Sequence, residues 1–288
     1  LLGDILLNST FPEDGIRKER EIILQEIGTA YDHPETRIND LLKRSIWPDH
    51  SLGRPVAGDA DSVARLTRED VIYFVGQNYV PDRIIVAAVG DIDHDTVVGE
   101  AQDSFWRMIG SSKPEVEPDC EFVPVEIAEA GAFSHTYFSL AYPARRYNDP
   151  HRYRTHALNT LLSGGLSSRL YTQLRQRLAA VYEIHSSYDA YRAAGTLTID
   201  GVTTADHLPT VLSAAHDQIE DIARNGVGEE ELHRTKLQLR GQYQLAADSH
   251  HTRMSRLVTQ QFYFGRALDH KELLGEIDQL TGEDLQQE

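Results

Sequence analysis

Cysteine is nearly absent: the 288-residue chain has one, Cys120. A single thiol cannot close an internal disulfide, and no cysteine-based metal motif is possible. Its neighbours Asp119 and Glu121 disfavour a thiolate, so Cys120 does not read as a nucleophile. No apolar run reaches the roughly 18 residues that a membrane-spanning helix needs. Positive charge is scarce as well: 28 Lys and Arg stand against 45 Asp and Glu, a formal net charge of −17. That balance argues against a nucleic-acid groove and against an anionic membrane surface. Several motifs are missing. There is no G-x-G-x-x-G, no P-loop, no G-x-S-x-G elbow, and neither H-E-x-x-H nor H-x-x-E-H. The 13 histidines are scattered, and the His250-His251 pair lies in a polar stretch that reads as solvent-exposed. Glu229, Glu230 and His233 have ligand spacing, but they read more simply as the acidic start of a helix. No initiating Met and no charged, then apolar, leader is seen. Leu1–Leu7 reads as the middle of an amphipathic helix, so the sequence is expected to be a piece of a longer protein.

What is present is ordinary in bulk, with 40% hydrophobic and 25% charged residues. A chain of this length can bury two medium cores, and the length favours two domains. One stretch stands out: Glu19-Arg20-Glu21-Ile22-Ile23-Leu24-Gln25-Glu26-Ile27. As a helix it places Glu19, Ile22, Ile23, Glu26, Ile27 and Ala30 on one stripe. The isoleucines turn that stripe inward, and an inward carboxylate is costly unless a charge or a metal compensates it. Three readings stay open at this point: a buried ion pair, a metal or acid–base site, or a solvated helix whose glutamates fall on the apolar side. Leu24 on the opposite face speaks for the last.

The rest of the chain punctuates clearly. Pro34 interrupts the first long helix, and a second runs from Glu35 to Ser45. Trp47 to Pro55 is a loop. Thr67 caps a helix through Tyr79. Arg83 to Asp91 reads as a buried strand, and Asp93 to Trp106 as a helix. Ser111 to Pro124 has linker composition, which sets expected domains at 1–110 and 125–288 with a linker at 111–124. Beyond it, Ala132 to Tyr142 alternates like a strand, and Pro150 to Leu162 is helical. Ser167 or Ser168 caps a helix through Leu178, with Leu170, Leu174 and Leu178 on one side. Val181–Tyr188 and Thr196–Thr203 are strands joined by a turn at Arg192–Gly195. Helices follow at Leu208–Asn225, Glu229–Asp248 and His251–Phe264, and another begins near Asp278. This order does not alternate strictly, which predicts an α+β fold with helices on mainly antiparallel sheets.

Three groups of residues together carry a resemblance. They are Leu6-Leu7-Asn8-Ser9-Thr10-Phe11 with the Glu19–Ile27 stretch, then Leu52-Gly53-Arg54-Pro55, then Gly164-Gly165-Leu166-Ser167-Ser168-Arg169-Leu170 with Arg175 and Tyr182. In this order and spacing they resemble the pitrilysin/insulinase-like zinc metallopeptidases, in the branch that contains the mitochondrial processing peptidases. The resemblance covers nearly the whole chain. It implies an α+β fold of two similar domains, the first incomplete here. It also implies Zn2+ as cofactor, held by two histidines of H-x-x-E-H and one downstream glutamate, with the motif's own glutamate activating water. Glu26 aligns with the ligand glutamate, and Glu19 with the acidic residue that supports the site. Arg175 and Tyr182 align with the arginine and tyrosine that bind peptide and stabilise the oxyanion. The sequence departs from the family between these two. Members commonly carry Arg-Gly-Leu-Ala before the tyrosine, whereas this chain has Leu178-Ala179-Ala180-Val181. The H-x-x-E-H element is expected upstream of Leu1. The implied activity is zinc-dependent endopeptidase action on extended peptides, with this piece alone inactive. The alternative is a non-catalytic partner or scaffold subunit of such a peptidase. Implied partners are a peptide substrate and a second copy or a paralogous subunit. The compartment is open, a bacterial cytoplasm and a periplasm fitting equally.

Overall fold

A computed structural model describes residues 1–112, 118 and 120–288. Among them the helices α1 (Leu2–Asn8), α2 (Glu13–Asp32), α3 (Pro34–Ile46), α4 (Ala60–Arg65), α5 (Arg68–Asn78) and α6 (His94–Phe105) come first. Strand β1 (Thr136–Ala144) and helix α7 (Arg152–Ser163) follow, then a π-helix (Tyr171–Arg177). The chain continues through strands β2 (Glu183–Ala190) and β3 (Gly195–Thr203) and helices α8 (Leu208–Asn225), α9 (Glu229–Asp248), α10 (His250–Phe264), α11 (His270–Gln279) and α12 (Gly282–Gln286). The architecture is α+β: helix-rich, with a small antiparallel sheet. No described helix is long and apolar enough to cross a membrane. Residues 113–117 and 119 of the expected linker lie outside the described residues.

The described residues form two compact units. One draws on Leu1–His33, Pro55–Glu117 and Ser249–Arg266; the other on Pro34–Arg54, Pro118–Asp248 and Ala267–Glu288. The local signals behind the helices are visible. Pro12 is extended and opens α2, whose first turn carries Glu13 and Asp14 toward the positive end of the dipole. Pro34 begins α3, where a missing N–H costs nothing. Thr67 and Asp70 close a reciprocal capping box on α5, and Asp93 caps α6 through the amide of Thr96.

In the second unit, β3 is the central strand, antiparallel to β1 and to β2. Thr196, Leu197, Thr198 and Ile199 are all buried, as a strand covered on both faces requires. Helix α7 packs on β2, α8 touches β3, and α3 packs on β1. The core is Leu158, Leu161 and Leu162 of α7, Leu170 and Leu174 of the π-helical segment, Ile199, Val211 and Ile277. Each such side chain contributes about 1.5–3 kcal/mol by leaving water. Gly53 of the Leu52–Pro55 loop sits against the backbone of Trp47, where a Cβ would collide with its carbonyl. That contact seats Trp47 in the interior, 1% exposed.

Three expectations need correction. Residues 84–89 have no strand beside them among the described residues, so the predicted strand is not a strand of a sheet. An extended run becomes sheet only when a neighbour takes its N–H and C=O groups, and Ile85 and Val86 remain exposed. The stripe on α2 is not buried throughout either. Ile27 is 6% exposed but Ile22 is 47% exposed, and Glu19 and Glu26 are both exposed. Helix α2 packs on α4, whose Val63 is buried, and that short helix covers only part of the stripe. Finally, neither serine hydroxyl caps the helix after Gly165. Ser168 Oγ is buried with no hydrogen-bond partner among the described residues, and Leu178 is exposed at the helix end.

Candidate functional site

The second unit builds an arm from Gly164 to Tyr182. At its start, Gly164 ends α7 where a Cβ would meet the Thr160 carbonyl at 2.5 Å and the Gln238 amide at 2.8 Å. Five residues on, Arg169 is held as a fork. Its Nε and Nη2 donate to the two carboxylate oxygens of Glu231 at 2.8 and 2.7 Å, and Nη1 donates to Asp221 Oδ2 at 2.7 Å. The Asn225 amide and then Arg169 hold the Asp221 carboxyl below its usual range. A bidentate guanidinium–carboxylate pair fixes orientation as well as charge. It ties the head of the arm to α8 and α9.

The arm then passes through seven residues of π-helix, with Leu174 fully buried and Arg175 exposed. Widened helical turns of this kind recur at functional sites. The end is closed by Leu178 N–H on the Gln173 carbonyl (3.0 Å) and Ala180 N–H on the Leu174 carbonyl (3.1 Å). Between these two bonds Ala179 takes a positive φ of 49°. This left-handed position at a helix end is where glycine is usual, and it is where the resemblance in sequence led to the expectation of a glycine, Ala179 standing there instead. From there Thr203 Oγ1 donates to the Ala180 carbonyl (2.5 Å), and Tyr182 N–H donates to the Val202 carbonyl (2.8 Å). Arg175 Nη1 donates to the carbonyl of Val181 at 2.6 Å, next to Tyr182. The Arg175 guanidinium is thus held against the peptide unit that precedes Tyr182, at one end of the sheet. Tyr182 is 57% exposed, so its phenol is available to a ligand.

Sequence reading missed one member of this cluster. The His135 ring meets the Tyr182 ring edge-to-face with centroids 4.7 Å apart, and Ser134 Oγ lies 2.9 Å from His135 Nδ1. The two rings come from different strand entries 47 positions apart in sequence, and only the strand register juxtaposes them.

Glu19 and Glu26 belong to the first unit, on α2. An open groove of about 480 Å³ runs beside Glu19, lined by Asp4, Ile5, Asn8, Phe11, Pro12 and Ile16. The bend that forms it is pinned by Arg68, which donates to the Phe11 carbonyl at 2.7 Å and to the Thr10 carbonyl at 3.1 Å. Zinc needs three protein ligands in a catalytic site. No group of three His, Cys, Asp or Glu among the described residues could hold a metal, so Glu26 by itself does not make a zinc site.

Helices on a three-stranded antiparallel sheet, carrying an exposed Arg–Tyr arm, define an α+β unit of known type. The fold matches the crystal structure of a peptidase M16 inactive domain from Pseudomonas fluorescens. That match has a TM-score of 0.87 at 20% identity and covers 99% of this chain and 69% of that one. A conserved protein from Enterococcus faecalis has the same fold at a TM-score of 0.75 and 17% identity, over 96% of this chain and 65% of that one. In sequence, residues 65–239 match the family model described as the peptidase M16 inactive domain, and the chain belongs to that family. The match includes Arg175 and Tyr182 and leaves out Glu19 and Glu26. Among its relatives, an uncharacterized zinc protease of Mycobacterium tuberculosis is 30% identical over 99% of this chain and 66% of its own length. One of Bacillus subtilis is 26% identical over 96% of this chain and 68% of its own. The chain therefore spans about two thirds of these relatives.

Proposed function

We propose that the full-length polypeptide containing this chain is a zinc-dependent endopeptidase acting on extended peptides. In this reading Arg175 and Tyr182 contact the peptide, Glu26 is one zinc ligand and Glu19 supports it. Zinc, when bound, would supply an activated water, and Glu26 is the ligand that this chain contributes. The observation that carries the reading is the arm itself. An arginine anchored on the carbonyl beside an exposed tyrosine, at the end of a sheet, offers donors to a peptide carbonyl without having to be ordered first. The relatives' designation as zinc proteases supports it further. The test is the zinc content and peptide cleavage of the full-length polypeptide beside its Glu26→Gln variant. The expected result is about one zinc per chain, with metal and activity both lost in the variant, and no cleavage by the 288-residue chain alone. A wild-type polypeptide that binds no zinc overturns the reading.

A second reading has one observation in its favour: the matching family model is that of the inactive domain. Here the protein is a non-catalytic partner subunit that clasps peptide or a paralogous chain through the same Arg–Tyr arm. Peptide binding without cleavage in the full-length polypeptide would establish it.

A further inference from the structure

We propose that His135 is a positioning residue for Tyr182, holding its ring in the orientation in which it meets the peptide. The proposal rests on the reading of Tyr182 given above and deepens it. It starts from the register. Thr136 pairs with Thr203, and Glu183 pairs with Val202, so the entries of β1 and β2 flank the exit of β3. His135 and Tyr182 are the residues immediately before those two entries. With β3 between them, their backbones are two strand spacings apart, roughly 10 Å. Two long side chains leaning toward each other are needed to close that gap, and the ring centroids are 4.7 Å apart at 81° between planes. This is the edge-to-face arrangement that aromatic quadrupoles favour.

Each partner of the pair is placed differently. Tyr182 is more than half exposed, and its backbone N–H is tethered to the Val202 carbonyl. Its phenol would otherwise sample several rotamers. His135 is half-buried, with Ser134 Oγ 2.9 Å from Nδ1. The better-held ring therefore orients the freer one. An exposed side chain that is immobilised on binding costs roughly two- to tenfold in affinity, and a ring already held avoids that loss.

The expected effect of His135→Ala in the full-length polypeptide is a roughly two- to tenfold fall in kcat/KM for peptide cleavage. His135→Phe, which keeps a ring at the position, restores most of it. The deciding measurement is the cycle with Tyr182→Ala. If His135 acts through Tyr182, His135→Ala costs nothing further in the Tyr182→Ala background. An equal cost in both backgrounds overturns the positioning role and leaves the reading of Tyr182 intact. No loss on Tyr182→Ala in an active polypeptide overturns the reading of Tyr182 and this proposal with it. If the full-length polypeptide cleaves no peptide, the endopeptidase reading falls. The Tyr182 side-chain rotamer, read from its χ1 couplings in the 288-residue chain, then decides the positioning alone. Rotamer averaging in His135→Ala, with a single rotamer recovered in His135→Phe, upholds it; couplings unchanged by His135→Ala overturn it.

Discussion

Replacing Ala179 by glycine should stabilise the second unit. Ala179 sits at φ 49° at the end of the π-helix, and it is exposed, so its methyl fills no interior space. A side chain in the left-handed region costs about 1–2 kcal/mol, because Cβ crowds the following carbonyl. Glycine removes that cost and returns about 0.4–1 kcal/mol through the greater freedom of the unfolded chain. The net gain is about 0.5–1 kcal/mol. For domains of roughly 150–250 residues this raises Tm by about 1–4 °C. The assay is thermal and urea unfolding followed by tryptophan fluorescence. Trp47 is buried in the second unit, whereas Trp106 of the first is 71% exposed, so the buried indole reports the unit that carries the substitution. Ala179→Val should move the midpoint the other way, since a β-branched residue is poorly tolerated there. An unchanged or lowered midpoint for Ala179→Gly would refute the argument, because residue 179 would then carry no left-handed strain.

Two further outcomes follow from the same unit. Burial, with the Arg152 charge second, pushes the His156 imidazole down to about 4 from its ordinary 6.5. As pH falls below about 6.5 the unfolded chain takes up a proton that the folded chain refuses, so stability is lost until pH about 4. That interval is worth about 3 kcal/mol, reduced to about 2–3 by solvent at the ring edge. His156 packs against Tyr153, Tyr188 and Tyr243. His156→Phe should keep most of that packing and remove this part of the acid sensitivity, measured as the difference between the two unfolding-versus-pH curves; parallel curves would contradict it. Arg169→Met should cost about 1–3 kcal/mol in urea unfolding, because it leaves Glu231 and Asp221 without their shared cation. Arg169→Lys should recover only part, since one ammonium cannot reproduce the fork; full recovery would mean that charge alone matters.

Most helix limits with a local signal were legible. Thr67 with Asp70, Asp93, Pro12 and Pro34 each act on the turn that contains them, and α8 and α9 occupy the expected spans Leu208–Asn225 and Glu229–Asp248. The antiparallel strands of the second unit were legible too, from alternation and from the Arg192–Gly195 turn that joins β2 to β3. Apart from the serine cap expected after Gly165, what failed depended on a neighbour. Residues 84–89 have the composition of a strand, but a strand is defined by the chain that pairs with it. The stripe on α2 has the spacing of a buried face, but burial is defined by what covers it.

By itself, the sequence determined the α+β class, most helix limits and the family, because each is written in residue type and short-range spacing. The tertiary structure alone decided the rest. It widened the helix that carries Arg175, placed Ala179 in the left-handed region, forked Arg169 across α8 and α9, and laid His135 against Tyr182. The last two arise from carboxylates 52 and 62 positions away and from strand register, and no local pattern encodes which distant groups will meet.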